Sequence, residues 1–270
     1  MKWDYPNRIV CLTEETTETL YLLGEEARIV GISGFTVRPP RARKEKPKVS
    51  AFTSAKIDKI MALEPDLVLG FSDLQADIAA ELVRLGVEVH VFNHRSIAEI
   101  LRTVAMLAAM VGASAKGEAL VAQLQDGMAD IQTKVVSLPC RPRVYFEEWD
   151  DPMICGIRWV SELIDVAGGE DCFAAMGQSS LATGRILDGA QRVIDAAPDV
   201  IIGSWCGKKF RAERVIERPG FDVIPAVRRG HIYEIKSPLI LQPGPAALTD
   251  GLREMHGIIA RVAADIGASS

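Results

Sequence analysis

The segment Leu63-Glu64-Pro65-Asp66-Leu67-Val68-Leu69-Gly70 returns later in the chain as Ala196-Ala197-Pro198-Asp199-Val200-Ile201-Ile202-Gly203. Each copy follows a short helical pattern: Ile57, Ile60 and Met61 before the first, and Ile186, Ala190, Val193 and Ile194 before the second. Proline crowds the preceding residue out of the α region, so each helix has to stop there. The continuous apolar run that follows is the pattern of a strand covered on both faces, as in a parallel sheet. A helix, Pro-Asp and buried strand used twice predict two similar lobes.

The flanking sequence agrees. In the first half, strand-like runs at 8–12, 28–32, 67–71 and 87–92 alternate with helical periodicity at 14–23 and 74–85, with Gly24 and Gly86 as stops. The second half predicts strands at 143–147, 200–203 and 231–235, and helices near 160–166, 186–196 and 246–264. Such alternation implies an open, mostly parallel α/β sheet in each half. Between them, Ser96 and Glu99 form a capping-box pattern opening a helix that runs to Gly112. After Ser114 come Leu120, Leu124, Met128, Ile131, Val135 and Leu138, one apolar stripe closed by Pro139. As a single helix it would be roughly 36 Å long, a rod that limits hinge motion to small tilts. The expected division is a lobe over 1–112, a connecting helix over 113–139 and a second lobe over 140–270.

Lys and Arg number 31 against 36 Asp and Glu, a formal charge of −5, which argues against a nucleic-acid partner. No apolar run reaches the ~18 residues that cross a bilayer. The residues before Ile9 carry no apolar core of a signal peptide. As it stands, then, the sequence predicts a soluble cytoplasmic protein; a truncated or processed start would leave an exported one. Five cysteines, without a CxxC spacing, support neither a disulfide framework nor a structural zinc site.

Catalytic and cofactor signatures are sparse. Neither GxGxxG nor GxxxxGK[ST] occurs. Gly203-Ser-Trp-Cys-Gly207 has Trp205 where a nucleophile elbow needs serine. His90 and His94 lie about 13 Å apart if both sit on a strand, too far to share an ion; His231 and His256 read as structural. No metal site and no intrinsic cofactor are expected. The acidic group Glu147, Glu148, Asp150 and Asp151 follows a strand and reads as a solvated loop, or else as a source of hard oxygen ligands or of a general base; Cys206 reads as a cysteine packed at a strand end, or else as a nucleophile. The basic run Arg38, Arg41, Arg43, Lys44, Lys46 and Lys48 reads as a solvated loop or as a contact for an anionic ligand. Phe35, Phe52, Phe71, Trp149 and Trp205 stand at strand-to-helix junctions, where parallel sheets bind ligands. Together they favour an apolar ligand wall and binding rather than turnover.

Arg8-Ile-Val-Cys-Leu12, Thr17-Glu18, Leu23-Gly24, Val30-Gly31, Pro39-Pro40, Pro65-Asp66 and Gly168-Gly169, in this order, resemble the helical-backbone substrate-binding proteins of bacterial ABC importers. The resemblance spans nearly the whole chain and is nearest the cobalamin-binding members. It implies two Rossmann-like lobes joined by one long helix with ligand between them, and a small-molecule metal complex as ligand: cobalamin or another corrinoid, alternatively an iron–siderophore or haem. It implies ligand contacts at Thr13, Glu14, Phe35, Thr36, Arg38, Phe52 and Phe71 in the first lobe. In the second lobe the positions are Glu148, Trp149, Trp205, Leu241 and Gln242. Docking to ABC permease subunits implies one surface carboxylate per lobe, at Asp58 and at Asp188 beside Gln191. Family members are usually periplasmic; a cytoplasmic corrinoid carrier or sensor on the same scaffold is the alternative, and an enzyme using Glu147 and Cys206 the remote one.

Overall fold

The computed structural model describes residues 5–269. The chain divides into two compact units: one runs to His94 and includes Ala98–Leu124, the other comprises Arg95–Ile97 and the chain from Gln125 on. In the first, β1 (Ile9–Cys11), α1 (Glu14–Leu22), β2 (Ile29–Ser33), α2 (Ala42–Glu45), β3 (Lys48–Ser50), α3 (Ile57–Met61), β4 (Leu67–Phe71), α4 (Ala76–Arg84) and β5 (Val89–Phe92) alternate, with α2 and β3 forming in the basic stretch that the sequence reads only as a loop. α5 (Ile97–Met110) and α6 (Ser114–Val135) follow. The sheet is parallel throughout, in the order β3-β2-β1-β4-β5. It is buried on both faces: Ile9, Cys11, Leu67 and Leu69 pack with Leu20 and Leu107, while Val10, Leu12 and Val68 pack with Ile60 and Leu82.

The second unit holds β6 (Arg143–Asp150), β7 (Met153–Cys155), α7 (Arg158–Val166), β8 (Glu170–Asp171), α8 (Ala174–Gly177), α9 (Gln191–Ala196) and β9 (Val200–Gly203). α10 (Ala212–Ile216), α11 (Pro225–Arg229), β10 (Ile232–Glu234), α12 (Ser237–Ile240) and α13 (Leu252–Ser269) complete it. Its sheet runs β10-β9-β6-β7, with β8 beside the start of β6; only β7 is antiparallel.

The repeated Pro-Asp does the same work in both units. Glu64 before Pro65 has φ 46° and Ala197 before Pro198 has φ 43°, a left-handed residue that turns the chain out of the helix. The Asp66 carboxylate then accepts from the N–H groups of Asn7 (2.7 Å) and Arg8 (2.9 Å), and its own N–H donates to Arg8 O. Asp199 likewise accepts from Arg143 N–H at 2.9 Å and donates to Arg143 O. The motif fastens β4 to the start of β1 and β9 to the start of β6. It belongs to the scaffold rather than to a ligand site.

Four expectations need correcting. Glu147, Glu148 and Asp150 are not a loop: they lie inside β6, which runs on into a hairpin with β7. Residues 186–190 are not helical; α9 starts at Gln191, and Ile186 bridges to Ile154 instead. α6 stops at Val135 rather than at Leu138, because the Ser137 hydroxyl bonds back to Lys134 O at 2.8 Å and competes with the next helical turn. The last helix opens on a π-turn, Ala247–Gly251, where a Cβ on Gly251 would lie 2.3 Å from Leu239 O. No helix among the described residues is long and apolar enough to cross a membrane.

Candidate functional site

In each sheet the order in which strands are added reverses between two parallel neighbours, β1 and β4 in the first unit, β6 and β9 in the second. The carboxyl ends at such a switch point are where open α/β sheets receive ligands. At the first, Gln75 holds the loops together. Its amide oxygen accepts from Phe71 N–H at 2.9 Å, and its NH2 donates to Phe52 O at 2.9 Å and Leu12 O at 3.4 Å. Gly70 makes room for it, since a Cβ there would meet the Gln75 amide oxygen at 3.0 Å. The sequence reading missed Gln75; no local pattern marks a glutamine that bonds across 63 residues.

Around this clamp, the aromatic candidates separate. Phe35 is 53% exposed, Phe52 is half-buried, and Phe71 is buried in the core, edge-on to His94. Leu74, read in the sequence as the first apolar residue of the helix over 74–85, instead precedes α4 and is 57% exposed just beyond β4. The first unit therefore presents Phe35, Phe52 and Leu74, with Phe71 supporting from beneath.

The first turn of α1 is polar and buried. Thr13 precedes it and donates its hydroxyl to Glu15 Oε1 at 2.5 Å. Glu14, Glu15 and Glu18 are all buried. Arg38 donates to Glu18 at 2.8 Å, so it is spent within the unit rather than held out for an anion. Arg43 caps the carbonyls of Gly34 and Thr36. Burial, with Glu15 and Glu18 as like-charged neighbours, pushes the Glu14 carboxyl up to about 8. Burial pushes Glu15 up to about 7, although the Thr13 bond opposes it. Thr36 is fully buried.

At the second switch point a fully buried carboxylate replaces the glutamine. Glu147 accepts from Tyr145 Oη (2.8 Å), Trp205 Nε1 (2.9 Å) and Arg218 Nη2 (3.0 Å), and pairs with Arg218 Nη1 as well. With both oxygens engaged, Glu147 is poorly placed to act as a general base. Trp205 is buried here, edge-on to Phe210. Lys208 Nζ bonds both Asp150 oxygens (2.6 and 2.8 Å) and lies 5.1 Å from the Trp149 ring centroid and 5.2 Å from that of Trp205. The partly exposed Trp149 ring is thus braced by an ammonium, with Nε1 on Asp151 O. Glu148 is paired to the buried Arg185 at 2.5 Å. Leu241 and Gln242 are half-buried and stand apart from this network, fixed by Trp159 Nε1 on Ile240 O at 2.9 Å. Asp58 and Asp188 are exposed, as is Cys206. Among the described residues no three His, Cys, Asp or Glu side chains gather to hold a metal ion.

A family model described as periplasmic binding protein matches residues 9–239. The chain belongs to the periplasmic binding protein family. Over 259 residues, this member is 27% identical to an uncharacterized ABC transporter substrate-binding lipoprotein, YvrC, of Bacillus subtilis, covering 93% of this chain and 79% of the relative. It is 23% identical over 249 residues to a vitamin B12-binding protein of Vibrio parahaemolyticus, covering 89% and 85% of the two chains. Its fold is similar to that of the periplasmic heme-binding protein RhuT from Roseiflexus sp. RS-1, with a TM-score of 0.83 at 24% identity over 95% and 99% of the two chains. These relatives are binding proteins rather than enzymes.

Proposed function

We propose that this protein is the substrate-binding component of an ABC importer and that its cargo is a corrinoid, a cobalamin-like metal macrocycle. The observation that carries the reading is that Phe35, just beyond β2, and Leu74, just beyond β4, are exposed apolar side chains at the carboxyl end of the first parallel sheet. An uncharged macrocycle face buries such side chains at ~25 cal/mol per Å². Within the first unit Phe52 extends the same apolar character, and Thr13, Glu14 and Thr36 supply polar edges. The commitment of Arg38 to Glu18 weighs against a polyanionic iron–siderophore. Similarity to a vitamin B12-binding protein and to an ABC transporter lipoprotein supports the same reading.

In this role no intrinsic cofactor is needed; the metal complex is the cargo. The reading puts the chain on the outer side of the cytoplasmic membrane, with Asp58 and Asp188 meeting the permease. Titration with cyanocobalamin, dicyanocobinamide, haemin and a ferric siderophore tests it by visible absorbance and melting temperature. Saturable corrinoid binding that raises the melting temperature is expected, since a ligand bound only by the folded state stabilises it. A response confined to haemin or the siderophore, or none, overturns it.

A further inference from the structure

Beside the loop that follows β9, the second unit has a cavity of about 560 Å³, lined by Phe210 and Ile232, by Lys209 and Arg211, and by Glu213 and Glu234. Small-molecule sites typically enclose ~300–1,000 Å³. The cavity lies at the β10 edge of the sheet, and none of the positions that the resemblance gives as cargo contacts lines it. Its apolar floor is fixed in place. Gly203 is the register partner of Glu234, and a Cβ on Gly203 would lie 1.9 Å from the Phe210 ring, so that ring fills the space of the missing side chain. Phe210 also stands edge-on to Trp205 at 4.9 Å, and Ile232 is half-buried. Most charges near this floor are already committed: Lys208 and Arg214 pair with Asp150, Arg218 with Glu147, and Glu234 with Lys236. Lys209, Arg211 and Glu213 are exposed and, among the described residues, have no ion pair. The cavity therefore offers two free cations, one free carboxylate and an apolar base.

We infer that this cavity is a second ligand site, for a zwitterion with an apolar body: a free amino acid with an apolar side chain. The ligand carboxylate accepts from Lys209 and Arg211, its ammonium donates to Glu213, and its side chain lies on Phe210 and Ile232. A simple amine meets two cations against one carboxylate. A simple carboxylic acid satisfies the cations and leaves Glu213 unanswered, so each lacks part of what the zwitterion brings. The site stands on the second unit alone and does not rest on the corrinoid reading.

Calorimetric titration of the full chain with phenylalanine, with 3-phenylpropionate, which lacks the ammonium, and with phenethylamine, which lacks the carboxylate, tests the inference. Low ionic strength is the condition to use, because exposed charges are then least screened. Phenylalanine should bind once per chain and about tenfold tighter than either analogue. Glu213→Gln should erase the advantage of phenylalanine over 3-phenylpropionate without weakening 3-phenylpropionate itself, whereas Arg211→Gln should weaken both. Phenylalanine held no tighter than 3-phenylpropionate, or no saturable binding up to about 10 mM, overturns the inference. Neither result bears on corrinoid binding, so the two readings fail separately. The wild-type series is decisive even if a variant does not fold.

Discussion

Replacing Gln75 with leucine removes the amide that joins three loops while nearly preserving side-chain volume, so a cavity contributes little. Two well-formed bonds are lost, Phe71 N–H to the amide oxygen and the NH2 to Phe52 O, both 2.9 Å. A buried donor or acceptor stripped of its partner costs ~1–3 kcal/mol, so the pair should cost about 3 kcal/mol. With a urea m-value of about 2 kcal/mol/M, the midpoint should fall by about 1.5 M. Far-UV circular dichroism follows both units, and the loss should appear there together with faster amide exchange at Phe71. A midpoint shift below about 0.5 M, or unchanged Phe71 exchange, would show that other partners satisfy these atoms and refute the clamp.

Other outcomes are equally specific. Glu14 and Glu15 have folded-state values of about 8 and about 7 against an ordinary 4.5. Ionising them therefore penalises the fold: the penalty is absent below about 4.5, grows between there and 8, and is complete above. The melting temperature should fall as pH rises from 5 to 8.5, and Glu15→Gln should flatten that fall. Arg218→Met leaves the Glu147 charge buried and should cost about 3–5 kcal/mol in urea melts, whereas the double variant with Glu147→Gln should recover much of it. Phe35→Ala removes about half the area of a ring that buries ~150–250 Å² in full, or about 2–3 kcal/mol at ~25 cal/mol per Å². Corrinoid affinity measured by calorimetry should drop by about 25-fold to 200-fold with little change in stability. Asp66→Ala should destabilise more than Asp199→Ala, because Asp66 accepts two backbone bonds and Asp199 one.

Much of this architecture is written locally. The residue before Pro65 and Pro198 is crowded out of the right-handed helix, and an unbroken apolar run after it forms a double-covered strand; hence β4 and β9 are readable at Leu67–Phe71 and Val200–Gly203. β7 was not, because a three-residue strand carries no periodicity and is defined by its partner β6. The site was less legible for a related reason. An aromatic at a strand end can turn outward like Phe35 or inward like Phe71 and Trp205, and sequence spacing is the same in both cases. Arg218 meets Glu147 across 71 residues, and Lys208 meets Asp150 across 58. Such pairings are decided by topology alone, so charge patterning presented the Glu147 cluster as an acidic loop when it is a neutralised, buried seam.

The corrinoid reading is tested most directly by native mass spectrometry of the full chain after incubation with an equimolar mixture of cyanocobalamin, dicyanocobinamide, haemin and a ferric siderophore. One corrinoid retained per chain, and displaced less readily from the wild type than from Phe35→Ala, is the predicted spectrum. A protein that emerges empty, or carrying haem or the siderophore in preference, would contradict it.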